Sequence, residues 1–370
     1  MDLERLSPDA KLYLRPIGLG SGMPLAGGCA RFAAVELSVR QGGAVSIVGT
    51  FAVADAANVA AGLPAELAAR FDTLWTHLTT PRTPLLLPTG ALDLATPQVM
   101  GILNVTPDSF SDGGRHDDPA KAVAAARAMV AAGAALVDIG GESTRPRAPH
   151  VPLDVELARV GPVLDGLQGQ GMPLSIDTRQ SAVMARALAT GAGIVNDVSA
   201  LAHDPQALAL VAAAGCPVVL MHAQGTPQHM QDAPHYDDCL RDVFDWLEAR
   251  IAAVIAGGVA RDRIIVDPGI GFGKTIAHNL ELIAGIGMLH GLGCPILLVS
   301  RLAAHTQDLL ANPNTSLVAH DDEVVTGARV TLLGRASPVD RDEAAARRYL
   351  ALFPDAEAYA GYESTYTDDL

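Results

Sequence analysis

LSIDTRQSAVMARALATGAGIVNDVSALAHDPQALALVAAAGCPVVLMH, residues 174–222, sets short β-rich runs against helical ones in strict alternation. The strands read as Leu174–Asp177, Gly193–Asp197 and Val218–His222, with helices over Ala182–Ala189 and Gln206–Ala214 between them. Working outward, the same rhythm gives strands at Val99–Val105, Leu136–Ile139, Ile264–Asp267 and Ile296–Ser300. Helices follow at Ala120–Ala132, Val155–Leu167, Asp238–Ala256 and Leu280–Leu289. In the first of these, Asp118 can cap, Pro119 suits the first turn and Gly133 supplies the stop. Alternation kept up this long predicts a parallel sheet.

The ends of the strands decide between a closed and an open sheet. Asn104, Asp138, Asp177, Asn196, His222, Asp267 and Ser300 stand at or near successive C-terminal ends. In a closed barrel those ends converge on one mouth, whereas an open sheet gathers its functional residues at a single crevice. Helix capping explains any one of them but not the whole series. The expected fold is α/β, a (β/α)8 TIM barrel over residues 97–299, with divergent last β/α units in 300–370.

Residues 1–96 read as a small α+β extension. Two strands, Arg31–Arg40 and Ala44–Phe51, join near Gly42-Gly43, and a helix over Ala65–Leu78 leads into a proline-rich connection, Pro81 to Pro97. The run Gly18-Leu19-Gly20-Ser21-Gly22 lacks dinucleotide-binding spacing and reads as a flexible turn.

Composition narrows the partners. Hydrophobic residues make up 49% of the 370-residue chain, enough for a large core, while aromatics are only 4%. The formal charge is −15, a field that repels nucleic acid and anionic membranes. Neither is an expected partner. Cys29, Cys216, Cys239 and Cys294 match no metal or disulfide spacing and read as reduced thiols in a cytoplasmic protein. Met1 to Leu12 is too charged for a signal peptide. Ala122 to Val137, broken by Arg127 and Gly133, is too short to span a bilayer.

The chemistry lies in six blocks near the strand ends. They are GILNVTPDSFSDGG (Gly101 to Gly114), DIGGESTRP (Asp138 to Pro146), SIDT (Ser175 to Thr178), Asn196-Asp197, MHAQGTPQ (Met221 to Gln228) and DPGIGFGKT (Asp267 to Thr275). In this order they resemble the dihydropteroate synthases. That family joins p-aminobenzoate to 6-hydroxymethyl-7,8-dihydropterin diphosphate, releasing dihydropteroate and pyrophosphate in folate biosynthesis.

The resemblance implies a pterin site at Asp177, Asn196 and Asp267, with Met221 and Phe272 packing the ring faces. Carboxylates and amides suit a heterocycle that presents a donor edge. Asn104 is implied as both a catalytic residue and the ligand of Mg²⁺, an ion that takes oxygen donors and keeps several waters. Thr144 and Arg145 are implied to contact the diphosphate and p-aminobenzoate, with Ser300 contributing to the same subsite. Arg145, Ser300 and Arg301 join Asn104 as catalytic residues. The loop Thr106–Gly114 is implied as a cover over the reacting centre. After Pro146, where the family usually has Gly, this chain has Arg147. The partners implied are these small molecules and, as assembly, a homodimer paired through helices late in the barrel.

Two other patterns are set aside. Gly269 to Thr275 imitates a phosphate-binding P-loop, but Pro268 stands where its first glycine belongs. His222, His229 and His235 are too loosely spaced for zinc.

The resemblance stops near Pro295–Arg301. The family continues with Ser-Arg-Lys after the seventh strand and an Arg-x-His string after the eighth. Here Ser300-Arg301 is followed by Leu302, and no lysine occurs after Lys274. The segment expected as the eighth strand, Ala328–Leu333, is followed by Gly334-Arg335-Ala336, and the last histidine is His320. Ser300 to Val318, Ala328 to Val339 and Ala344 to Glu363 instead resemble a fragment of the pyridoxamine-phosphate-oxidase-like split barrels, with their haem-utilisation relatives. That resemblance is too short for a complete flavin barrel. Two functional expectations stay open: a dihydropteroate synthase with impaired catalysis, or a non-catalytic pterin-binding paralogue or chimaeric protein. Pterin-dependent methyltransferases share the barrel, but would not be expected to carry the loops at 104–114 and 142–145 in this form.

Overall fold

The computed structural model describes residues 3, 6–106, 119–142, 150–225, 229–298, 316–319 and 329–333, all within one compact unit, 1–336. Three antiparallel strands, β1 (Lys11–Pro24), β2 (Arg31–Gln41) and β3 (Ala44–Ala52), open the chain. Helices α1 (Ala56–Ala61) and α2 (Ala65–Thr79) follow, and then a hairpin of β4 (Leu85–Leu87) and β5 (Gly90–Leu92). The Gly18–Gly22 run is no free turn: it lies inside β1, where the register shifts between Leu19 and Met23. Its positive-φ glycines permit that irregularity.

The barrel begins at β6 (Val99–Asn104). It proceeds through α3 (Pro119–Ala131), β7 (Leu136–Gly140), α4 (Leu153–Leu167), β8 (Leu174–Asp177), α5 (Ser181–Ala189) and β9 (Ile194–Asp197). After these come α6 (Ala207–Ala214), β10 (Val218–Met221), α7 (Cys239–Ala256), β11 (Ile264–Asp267) and α8 (Ile276–Gly285). Strands β6 to β11 pair in chain order, all parallel. The expected helix over Leu280–Leu289 is two elements, α8 and a 3-10 helix at Ile286–Leu292. Ile296 bridges Val266 in the parallel sense, at the place of a seventh strand.

Beyond that point the order changes. The eighth segment forms a strand, β13 (Arg329–Leu333), and pairs with β6, but it runs antiparallel. It is partnered in turn by antiparallel β12 (Ser316–Ala319). A crossover connection of the β/α type would have kept β13 parallel to β6.

Strand geometry sorts the side chains into two faces. Leu103, Val137, Ile139, Ile176, Val195, Leu220 and Val266 belong to the large core shared with the helices. The opposite parity forms a second apolar cluster of Met100, Leu136, Ile194, Val219, Ile265 and Leu297. This is the barrel interior at the N-terminal ends of the strands. Leu85 of the N-terminal hairpin completes it, with Leu87 and Leu92 packed alongside, so the hairpin stoppers the barrel floor.

The N-terminal sheet is fastened to α7 by charge. Lys11 reaches Asp245 (2.7 Å) and Glu248 (2.8 Å), Arg40 reaches Asp242 (2.5 Å) and Asp245 (2.6 Å), and Arg70 reaches Glu248 (2.7 Å). The Tyr13 hydroxyl donates to Asp245. At the end of the 3-10 helix, Arg82 donates to the His290 carbonyl, Arg261 to that of Leu292, and His77 Nδ1 lies 2.7 Å from that of Gly291. Cations on the last carbonyls offset the helix dipole.

Asp245 gathers three of these partners. Asp245→Ala strands Lys11, Arg40 and Tyr13 at a half-buried junction and is expected to cost about 2 kcal/mol in urea unfolding. Asp165→Ala breaks only the exposed pair with Arg186 and is expected to stay within about 0.5 kcal/mol.

Candidate functional site

The interior parity that gives an apolar floor turns polar near the C-terminal ends. Asn104 faces Gly140 across the ladder, Gly140 faces Asp177, and Asp177 faces Asn196. Met221 stands opposite Asp267. A Cβ placed on Gly140 would lie 3.4 Å from Asp177 Oδ2 and 3.7 Å from Asn104 Oδ1, so both oxygens crowd one point. Asp138 sits one interior layer deeper and accepts from Asn196 Nδ2 at 2.9 Å. Asp197 has the other parity, and its carboxylate is consumed by Ser199 and Leu201.

These acids lack the donors that burial demands. Asp138 Oδ1 and Asp177 Oδ1 are sealed from water without a hydrogen-bond partner among the described residues. Burial raises the Asp177 pKa well above the usual carboxylate range, and the charges of Asp138, Glu156 and Asp197 raise it further. Burial raises Asp138 too, partly offset by its polar neighbours. Asp267 is pushed up to about 7 by burial, against the Gly269 amide and the Lys274 charge. A buried polar atom without a partner is costly, and its cost is lifted by a ligand that brings donors.

The loop after β11 is held by a buried ammonium. Lys274 Nζ donates to the carbonyls of Gly269 (2.9 Å) and Phe272 (3.0 Å), and lies 3.0 Å from His222 Nδ1. Burial and Lys274 lower His222 to about 3, so its imidazole is neutral and can accept; burial lowers Lys274 to about 8. Gly269 and Gly273 take positive φ, and a Cβ at either would collide with the carbonyl oxygen of His222 or Gln224. This loop is no phosphate cradle. Its amides are already bound: Gly269 to Asp267, Gly271 to Asn279 and Phe272 to the Gly269 carbonyl.

Met221 and Phe272 come together on a cavity of about 290 Å³ that Arg179, Ser199, His203 and Trp246 also line. Arg179 grips the buried Glu142 with both ends of its guanidinium, at 2.7 to 3.1 Å. The Val151 amide binds the same carboxylate, so residues on both sides of 143–149 are tied together. A larger cavity, about 590 Å³, lies away from the strand ends, where Arg15, Glu36, Asp238 and Arg241 pair with one another.

Asn104, Asp177, Asn196, Met221, Asp267 and Phe272 therefore have described positions. Thr144, Arg145, Ser300 and Arg301, together with most of the loop Thr106–Gly114, lie outside the described residues. Sequence reasoning gave no site role to Asp138, Glu142, Arg179 or Lys274. For Asp138 the available signal was its parity, two residues before Gly140.

The profile described as pterin binding enzyme matches residues 100–331. The chain belongs to this family. Among curated relatives, the dihydropteroate synthase of Escherichia coli (strain K12) is 44% identical over 229 residues, 61% of this chain and 81% of the relative. That of Mycobacterium leprae is 43% identical over 243 residues, 65% and 86%. A Xanthomonas albilineans dihydropteroate synthase solved with 4-aminobenzoic acid superposes with a TM-score of 0.55 at 49% identity, covering 59% of this chain and 78% of that one. The Yersinia pestis enzyme in complex with a sulfonamide drug gives 0.57 at 44%, covering 62% and 83%. This pterin-binding enzyme shares their α/β barrel, and the match extends past the point where its recognisable motifs end.

The raised acid and lowered lysine make stability depend on pH in two opposite ways. The folded chain keeps the Asp267 proton up to about 7, against 3.8 ordinarily, so this group makes stability fall as pH rises across that interval. Lys274 sheds its proton near 8 instead of 10.5, so its contribution rises between those values. Urea midpoints measured across the range should fall towards neutrality and recover in alkali. Asp267→Asn should flatten the first limb, and Lys274→Met should flatten the second.

Proposed function

We propose that this chain is a dihydropteroate synthase. It binds a dihydropterin diphosphate in the cup at Asn104, Asp177, Asn196 and Asp267 and transfers the pterin methylene to the amine of p-aminobenzoate. The observation that carries this reading is the ring of acceptors over an apolar floor, with Asp177 Oδ1 at the level of the cup unpartnered among the described residues. A flat heterocycle with a donor edge supplies what that oxygen lacks, and Met221 and Phe272 give it apolar contact. A relative from Xanthomonas albilineans has been solved with 7,8-dihydropteroate, the product of this reaction.

In the reaction the aniline nitrogen bonds to the methylene carbon, the carbon–oxygen bond to pyrophosphate breaks, and the nitrogen gives up a proton. Residues of this chain hold the ring, keep water from the carbon, and meet the charge that grows on the leaving oxygens. Thr144, Arg145 and Ser300 are proposed for the diphosphate and p-aminobenzoate, and Arg301 for charge on the leaving group. Among the described residues no three His, Cys, Asp or Glu side chains gather as a metal site. The half-buried amide oxygen of Asn104, beside an oxygen of Asp177, nevertheless suits a hard cation held chiefly by water and phosphate. Mg²⁺ bound there would neutralise the diphosphate.

Turnover is proposed to be slow. The family's lysine and its Arg-x-His have no counterpart after Lys274, and each lost charge-assisted contact costs on the order of 1.5–3 kcal/mol. Residues 1–96 are proposed as an extension, 97–299 as the catalytic barrel and 300–370 as a divergent, chimaeric segment related to split barrels. The assembly proposed is a cytoplasmic homodimer. Among the described residues no helix is long and apolar enough to cross a membrane.

Pyrophosphate release that depends on p-aminobenzoate tests the activity directly. The expected result is a measurable rate several powers of ten below that of a relative with the intact lysine and histidine. Binding of the pterin diphosphate without release would support the non-catalytic paralogue instead, and absence of binding at millimolar ligand would end both. Asp177→Ala is expected to weaken pterin binding about 10- to 100-fold in calorimetry.

A further inference from the structure

Asp138 is placed where it can dictate what the cup reads. It lies in the middle of β7, not at its end, with its side chain inside the barrel and only 3% of its surface exposed. Its neighbours across the ladders are Ile102 and Ser175. Asn196, the amide of the cup, gives its Nδ2 to Asp138 Oδ2 at 2.9 Å. An amide is planar and two-sided: one end donates, the other accepts. A free asparagine can present either end. Beside an ionised carboxylate that freedom is lost, because both of its oxygens accept and neither can donate.

We infer that Asp138 is a positioning residue that locks the Asn196 amide with its NH2 turned down and its Oδ1 turned to the cup. This rests on the reading of the cup as a pterin site and goes beyond it, since it assigns specificity to a residue that touches no ligand. With the amide locked, Asp177, Asn196 Oδ1 and Asp267 line the cup with acceptors. Such a ring selects heterocycles whose edge carries an amino group and a ring N–H, and rejects flat isosteres with an oxo group in place of the amine. A desolvated acceptor set against another acceptor is penalised more than a missing contact.

The test uses the full chain and calorimetry with two probes, 6-hydroxymethyl-7,8-dihydropterin and its 2-oxo counterpart, which replaces the 2-amino group by a carbonyl. Wild type should prefer the amino compound. Asp138→Leu frees the amide and should reduce that preference about 10-fold or more. Asp138→Asn keeps an acceptor for the Asn196 NH2 but adds a donor that can meet a flipped Asn196 Oδ1, so its preference should fall between those of wild type and Asp138→Leu. Asn196→Asp alone sets two carboxylates together and should bind poorly. The exchange D138N/N196D rebuilds the bond with its polarity reversed, leaves an acceptor facing the cup, and should recover both binding and preference.

Thermal midpoints show that each variant is folded. The preference ratio, lost in Asn196→Asp and restored in the exchange variant, is a readout that loss of packing alone would not move. An unchanged ratio in Asp138→Leu, or an exchange variant no better than Asn196→Asp, would overturn the positioning role while leaving the pterin site standing. If wild type binds neither probe, the pterin reading falls and this inference falls with it.

Discussion

A β-strand has only two faces, and in a barrel one of them must look inward. The rest of this structure depends on that constraint. Along β6, β7, β9, β10 and β11 the inward positions begin with Met100, Leu136, Ile194, Val219 and Ile265, a dry floor. Two or four residues further on, the same faces carry Asn104, Asp138, Asn196, Met221 and Asp267. Carboxyl groups set directly above hydrocarbon have no bulk water below them and protein on each side. Their raised pKa values and unpartnered oxygens are two expressions of one geometry. A donor-bearing ligand relieves both at once.

The loop that follows β11 shows how that arrangement is kept in place. Asp267 ends the strand, and its carboxylate is turned back onto the Gly269 amide. The chain then curls tightly around the Lys274 ammonium, which among the described residues has no carboxylate within hydrogen-bonding distance and is satisfied by carbonyls and a neutral imidazole. Because His222 follows directly after Met221, the same ammonium ties the ends of two adjacent strands. A charge buried this way is affordable only because its hydrogen bonds are so nearly complete.

Much of this was legible in the sequence, and for physical reasons. The barrel strands are β-branched runs ended by polar residues, so Leu174–Asp177 and Ile264–Asp267 were read with the bounds they have. The rim residues were legible because type and place coincide. Asp138 was grouped with the strand ends, but β7 runs on to Gly140, and only the register reveals that it lies one layer down. The strand β1 went unread because its glycines and Pro16 argue against extended structure locally; pairing with β2 over most of its length overrides that preference. Arg179 carries no local signal, since its partner Glu142 lies 37 residues away in sequence, and the link from Lys274 to His222 spans 52 residues.

The N-terminal extension was legible in its two strands and its helix, but its two joins to the barrel, which link residues far apart in sequence, were not. Its basic residues Lys11, Arg40 and Arg70 meet the acids at positions 242, 245 and 248, which α7 presents at helical spacing on one face. In a chain with formal charge −15, that cluster of acids would repel itself if left bare. At the other end, Leu85 enters the floor beneath the carboxyl-lined cup. Removing the hairpin would open that floor to water, and water reaching the acids from below would relieve the desolvation that raises their pKa values. The extension is therefore coupled to the barrel interior through its dry floor, into which Leu85 packs.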